Sequence, residues 1–447
     1  MLKYFYIIFV VLLISIYLIQ CNTKNFYETE ISNSDLRNLL IKRSSGKGLD
    51  FFILPESHEF SKIPQDTSNP LSDVKIQLGK FLFFDPAISF NPKCTAASRT
   101  FSCASCHFSE AGFQAGIRQS IAGGGRGHGF MRTKHPLCDS SEVDVQLLRT
   151  PSIINCAYQE AQLWSGKLGC CGPNTGSDSL WKKGSFLELN GLKMQGVETQ
   201  ARVGLEAHGF RMSPELITNT IYGTLFDSAF KGSRPDLIYR RFTMAKAIAA
   251  YERTVLSNQA PFQKWLRGDS TALSATQLFG AYLFFDKAKC DNCHTGPALN
   301  SMSFHALGFN DMTGIDIIDK NDAPKDVTLG RGGYTNLEED KFKFKVPQLY
   351  NLKNIEFLGH GGNFCSVEEI VRYKNEAKSQ NPNVTEKYLS QDFKPLHLNN
   401  KEIKALVDFI ENALYDPNLK RYEPKSVPSG FCFPNADIVS KKQLHCE

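Results

Sequence analysis

The sequence contains no long run of lysine and arginine. Its 51 basic residues against 46 acidic ones leave a net charge of +5, without the concentrated stripe that neutralises phosphates. Nucleic acid is therefore not an expected partner, and the mild excess supports at most docking to an acidic patch on another protein. Strand signals are few, which argues against a β class and leaves a mainly α fold. Long hydrophobic runs are scarce too. The N-terminal one, Tyr4 to Ile19, follows Met1-Leu2-Lys3 and has the charged start and apolar middle of an export signal. Leu18-Ile19-Gln20-Cys21 resembles a relaxed lipoprotein cleavage box with Cys21 as the lipid-bearing residue; an uncleaved signal-anchor is the alternative. Either places the protein in the periplasm or another extracytoplasmic space, held at a membrane.

What is abundant is cysteine and internal similarity. The 447 residues, 42% hydrophobic, suffice for a large core and two or three domains. Among 13 cysteines and 10 histidines, Cys103-Ala104-Ser105-Cys106-His107 repeats as Cys290-Asp291-Asn292-Cys293-His294. A shuffled chain of this composition holds that pattern about 0.01 times. On one helical turn, C-x-x-C-H presents two thiols to the haem vinyl groups and turns the histidine to the iron. A zinc knuckle would need another close ligand pair, and a thioredoxin motif a βαβ setting; neither is visible. Two covalent c-type haems follow, attached at Cys103, Cys106, Cys290 and Cys293, with His107 and His294 as iron ligands. Eight cysteines remain after these and Cys21, which suggests disulfides in an exported protein, Cys432 with Cys446 being one guess.

Residues 1–21 read as the export signal and 22–70, with Pro55, Pro64 and Pro70, as a tether and wrapping segment without its own core. Order is expected from Ser72. Val74, Leu78, Phe81 and Leu82 recur at helical spacing until Pro86. The phrase Leu78-Gly79-Lys80-Phe81-Leu82-Phe83-Phe84-Asp85 returns as Phe279-Gly280-Ala281-Tyr282-Leu283-Phe284-Phe285-Asp286, again just before a haem motif. Its helix starts with a capping box, Ser274 and Gln277. The order of elements predicts two cytochrome c-like haem domains related by internal duplication, 71–234 and 235–425, with long loops and a tail over 426–447. Further helices are expected from Ser213-Pro214-Glu215, over 235–252, over 367–375 and over 401–414.

From about 71 to 415 the chain resembles the bacterial di-haem cytochrome c peroxidases and their MauG-type relatives. The resemblance rests on Leu78 to Asp85, Ser102 to His107, Arg149-Thr150-Pro151-Ser152, Leu163-Trp164-Ser165-Gly166-Lys167, Ala247 to Thr254, Cys290 to His294 with Gly296-Pro297, and Phe344-Lys345-Val346-Pro347. It implies that the first haem reacts with hydrogen peroxide and the second receives electrons from a small cytochrome c or blue-copper protein. Trp164 matches the tryptophan between the haems. His128, in Gly127-His128-Gly129, matches a histidine that covers the first iron at rest and swings away, with His135 second. The family's acid-base glutamate has no counterpart: the count from Gln200-Ala201 lands on Phe210-Arg211, leaving Glu206, His208 or Arg211. At the far face of the second iron, where the family has methionine or tyrosine, Lys374 stands beside Tyr373; Met302 and Met312 are alternatives. His305 and His360 match histidines near that haem. The family's inter-haem calcium site has asparagine where Arg149 stands, so calcium is open, as is homodimerisation.

Three functions follow in order of expectation. The first is a peroxidase reducing hydrogen peroxide to water. The second is a MauG-type oxidase modifying a protein or organic substrate. The third is a non-enzymatic electron carrier with both irons permanently six-coordinate.

Overall fold

The computed structural model describes residues 31–318 and 326–446; the expected export signal, Cys21 and the first part of the expected tether lie outside them. Its helices are α1 (Asn33–Arg43), α2 (Asp73–Phe84), α3 (Gly196–Ala207), α4 (Pro214–Asn219), α5 (Tyr222–Ala229), α6 (Arg241–Arg253), α7 (Pro261–Leu266), α8 (Ala275–Phe285), α9 (Gly332–Thr335), α10 (Val367–Glu376), α11 (Asn400–Asp408) and α12 (Ile438–Gln443). Strand is confined, among the described residues, to two short antiparallel ribbons. These are β1 (Gly125–Arg126) with β2 (Thr133–Lys134), and β3 (Phe304–His305) with β4 (Phe344–Lys345). The mainly α expectation holds, and no described helix is long and apolar enough to cross a membrane.

Local chemistry sets the helix ends. Ser274 and Gln277 form the reciprocal capping box that opens α8, and Ser213 with Pro214 opens α4. α2 stops before Pro86, whose ring leaves no N–H to continue the ladder. Around 235–252 a 3₁₀ turn precedes α6, so the expected helix is shorter at its start.

Two glycines let helices cross at close range. α2 packs on α6, and a Cβ on Gly79 would lie 1.8 Å from the Ala247 carbonyl oxygen. α8 packs on α11, and a Cβ on Gly280 would lie 2.0 Å from the Ala405 carbonyl oxygen. Aromatic side chains fill the space beside each crossing: Phe83 and Phe84 meet Tyr251, while Phe284 and Phe285 meet Phe409 and Phe262. One continuous apolar core runs from Leu36 to Val427 through both halves.

The expectation of order only from Ser72 needs correction. Ser32 and Asp35 cap α1 reciprocally, and Leu36, Leu39 and Leu40 are buried where α1 packs on α8. Phe52 follows, 5.3 Å from the Phe285 ring. The Gln263 amide donates to Phe52 O at 2.9 Å and accepts from Leu54 N at 2.8 Å. Arg253 and Glu198, both fully buried, pair at 2.6 Å. Asn69 donates to Glu198 at 3.1 Å, and Pro64 O accepts from Arg253 at 2.9 Å, so the ion pair is satisfied by the strap that covers it.

Of the eight remaining cysteines, four pair: Cys432 with Cys446, as guessed, and Cys94 with Cys138. Cys156, Cys170, Cys171 and Cys365 are thiols, so the disulfides suggested by the even count involve half of the eight. The tail lies on the first haem motif. Ser102 donates its hydroxyl to Pro434 O at 2.9 Å, and Ala436 N donates to Thr100 O at 2.9 Å.

Candidate haem sites

The two C-x-x-C-H segments fold alike, and the fold leaves one histidine nitrogen free in each. Cys103–Ser105 makes a 3₁₀ turn, and His107 N donates to Cys103 O at 3.1 Å. His107 Nδ1 lies 3.0 Å from the Phe113 carbonyl oxygen. A carbonyl only accepts, so Nδ1 carries the proton and Nε2 keeps its lone pair. Burial pushes this imidazole down to about 4, which keeps it in the neutral, metal-binding form. Burial likewise pushes the Cys106 thiol up to about 11, and that of Cys103 higher; an uncharged thioether suits this environment.

At the second motif, Cys290–Asn292 forms the turn and His294 N donates to Cys290 O at 2.9 Å. His294 Nδ1 faces two carbonyls, Leu299 O and Pro347 O, each at 3.1 Å. Burial again lowers the imidazole, to about 4. Cys290, Cys293 and His294 line a cavity of about 680 Å³, within the size range of cofactor pockets. Leu307, Phe309, Val346, Leu352, Val371 and Ile410 supply apolar wall. The donor set, the neutral imidazoles and this mostly apolar cavity fit covalent haem.

Lys374 lines this cavity at the end of the α10 stripe Val367, Ile370 and Val371. Its charge is felt by Cys290, Cys293 and His294, and burial lowers its basicity. Tyr373 is corrected as a ligand: it packs on Phe309, Phe364 and Phe393, and its hydroxyl donates to Leu307 O at 2.5 Å. Met302 and Met312 are not among the lining residues. His305 and His360 are. His305 Nε2 lies 3.0 Å from Ser303 Oγ and 3.4 Å from Cys293 Sγ, and His360 stacks on Phe344 with centroids 3.7 Å apart. Cys293, His305 and Asp392 would also suffice for a small metal ion, but the same cysteine belongs to the haem motif.

Trp164 borders the cavity beside His360, 6.2 Å between ring centroids. Its indole N–H donates to Arg149 O at 2.7 Å. Arg149 is buried, donating to Gln114 Oε1 at 2.7 Å and to Ala115 O. A guanidinium in this place repels a second cation, which weighs against calcium, left open by the sequence.

The remaining candidates separate by environment. Glu206 is exposed and pairs with Arg202 at 2.6 Å; Arg211 is exposed and lies 4.3 Å over the Phe90 ring. Both are corrected to surface roles. His208 bonds the Asp144 carboxylate. Burial opposes its charge, but Asp144 outweighs burial and raises the imidazole above its usual range. Among these three, His208 is the one whose charge reaches His107. His135 caps a turn, accepting from Leu137 N at 3.2 Å.

His128 is half-buried against Phe108, ring centroids 5.7 Å apart, and its loop is tied down. Arg132 donates to Ile121 O, Ala122 O and Gly127 O at 2.6 to 2.9 Å. Asp437 and Gln443 of the tail accept from Gly127 N at 3.1 Å and His128 N at 2.7 Å. The glycines at 127 and 129 serve left-handed backbone, φ 83° and 60°, rather than looseness in this conformation. Asp144, Arg132 and the tail contacts carry no local signal in the sequence.

Residues 73–271 match the family model described as di-haem cytochrome c peroxidase. The methylamine utilization protein MauG of Methylorubrum extorquens is 29% identical over 372 residues, covering 82% of this chain and 84% of that protein. Cytochrome c551 peroxidase of Pseudomonas aeruginosa is 24% identical, covering 71% and 78%. A crystal structure of a MauG-like protein associated with microbial copper homeostasis shares the fold, with a TM-score of 0.58, 23% identity, and coverage of 82% and 95%. Over residues 73–271 the chain is thus similar to the di-haem cytochrome c peroxidase family, and the second C-x-x-C-H turn, beyond that match, folds like the first.

Proposed function

We propose that this protein reduces hydrogen peroxide, taking two electrons singly from a small cytochrome c or blue-copper protein and two protons to form two waters. Haem bound at both motifs would supply the iron chemistry. The observation that carries the reading is the shared anchoring of His107 and His294, whose Nδ1 atoms face backbone carbonyls and whose Nε2 atoms remain for iron. In this reading Trp164 lies on the electron route, and His208, held by Asp144, delivers protons near the first motif. Lys374, which lines the same cavity as His294, would be a second residue able to hold the iron there. His128 covers the first site, and its release requires the tail contacts to open.

The same proposal includes duplication of one haem domain and export with anchoring near Cys21. The paired Gly79 and Gly280 crossings favour the first, and the Cys94–Cys138 and Cys432–Cys446 disulfides suit an oxidising compartment. Purified protein mixed with peroxide and a reduced small cytochrome or copper protein tests the activity. Steady donor oxidation is expected; paramagnetic resonance lacking any high-spin or exchangeable iron, before and after half-reduction, would leave peroxide nowhere to bind and reduce the protein to a carrier.

A second reading, MauG-type oxidation of a protein or organic substrate, is favoured by one feature: the second cavity presents Lys374 and no methionine. An enzyme of that kind turns such donors over poorly while still reacting with peroxide.

A further inference from the structure

Two buried cations border the second cavity, and among the described residues neither has an acidic partner. Arg149 is 3% exposed and Lys345 6%, and both line the cavity. Arg149 spends two nitrogens on Gln114 and Ala115 O, and its Nε finds no acceptor. The Lys345 amine donates to the Gln159 amide oxygen. Burial pushes Lys345 down to about 7 and Arg149 to about 9. A buried charge facing only neutral dipoles is costly, and proteins retain one where an anion completes it. The lining acids face other groups: Asp311 Oδ2 accepts from Asn381 at 3.2 Å while its Oδ1 lies 3.6 Å from His360, and Asp392 faces Lys374 and His305.

The backbones of the same two residues hold Trp164. Arg149 O accepts its indole N–H, and Lys345 N donates to Trp164 O, both at 2.7 Å. The cations therefore stand where the cavity meets the ring assigned to the electron route.

We infer that Arg149 and Lys345 form a two-cation clamp for the carboxylates of the group held at Cys290, Cys293 and His294, which are haem propionates on the di-haem reading. The clamp sets the second site's redox poise, because a fixed cation beside a redox centre favours its reduced form. The inference rests on haem occupying this cavity, not on the reaction with peroxide.

Redox titration of the haem-loaded protein tests it. R149Q and K345Q are each expected to lower the second midpoint potential and leave the first unchanged, while R149K and K345R stay near the parent. Unchanged midpoints in folded R149Q and K345Q would overturn the clamp. Should the neutral variants not fold, redox-difference infrared spectra of R149K read the carboxylate stretch, since lysine keeps the charge but loses the planar fork. A shifted band supports the clamp and an unshifted one overturns it. Intact peroxide turnover with unmoved midpoints removes the clamp alone; a protein inert to peroxide whose midpoint still falls keeps the clamp and removes the peroxidase reading.

Discussion

Trp164 is held by its neighbours' backbones rather than by side chains: it donates to Arg149 O and accepts from Lys345 N, each at 2.7 Å. Its ring is thereby fixed at the cavity edge beside His360. Trp164→Phe keeps an aromatic ring and removes the N–H, leaving the Arg149 carbonyl short of one bond. Stability should fall by only about 1 kcal/mol. Electron transfer between the two haems should slow by about tenfold, close to 1.4 kcal/mol of barrier. Rapid-mixing absorbance of the half-reduced protein with peroxide reads the rate, and an unchanged rate would return Trp164 to a packing role.

Lys374 gives the second expectation. With Tyr373 turned to Leu307 O and no methionine lining the cavity, the lysine is the available amine ligand. Lys374→Met should raise the second midpoint potential by on the order of 100 mV, within the roughly 0.8 V that axial ligands span. The low-spin signal of that haem alone should change. A spectrum identical to the parent protein's would mean that the amine never reaches the iron.

How much of this was legible in the sequence depended on distance along the chain. The haem turns were, because five adjacent residues carry the whole chemistry, and so were the capping box of α8 and the Pro86 stop, which act within one helical turn. α1 was not: Leu36, Leu39 and Leu40 make a short apolar face whose stability comes from packing on α8. Asp144 meets His208 from 64 residues away, and Lys345 meets Gln159 from 186; no local spacing encodes such pairs. The glycines around His128 suggested mobility, but the tail that restrains them lies more than 300 residues on.

The crossings at Gly79 and Gly280 make a symmetric pair of stability tests. A methyl group at either position meets a backbone carbonyl at 2.0 Å or less, and a backbone cannot swing aside as a side-chain tip can. Gly79→Ala and Gly280→Ala should each cost about 1–3 kcal/mol, the usual range for overpacking. Denaturant unfolding measures this. Gly176→Ala is the control for added bulk, since no atom lies within 4 Å of its Cβ position, although its φ of 81° brings backbone strain of its own.

The His208–Asp144 pair gives the pH-dependent expectation. Asp144 raises the imidazole above its ordinary value against the opposing effect of burial. A histidine with a raised folded pKa stabilises fully below its unfolded value, about 6.5, and loses that contribution as pH rises through the folded value. Asp144→Asn removes the attraction, so the stability gap between parent and variant should be widest near pH 6 and close toward pH 9. Urea midpoints across that range check the sign. A gap that grows with pH would mean the imidazole is neutral in the folded chain, and His208 would then accept protons rather than supply them. Kinetics separate that role from mere bonding: His208→Gln retains a hydrogen-bonding group beside Asp144 but cannot titrate. It should therefore reach the parent's fold, losing only the pair's stabilisation at low pH, while its reaction with peroxide slows by about tenfold to a hundredfold and loses its pH dependence, as expected when a general acid-base group is removed.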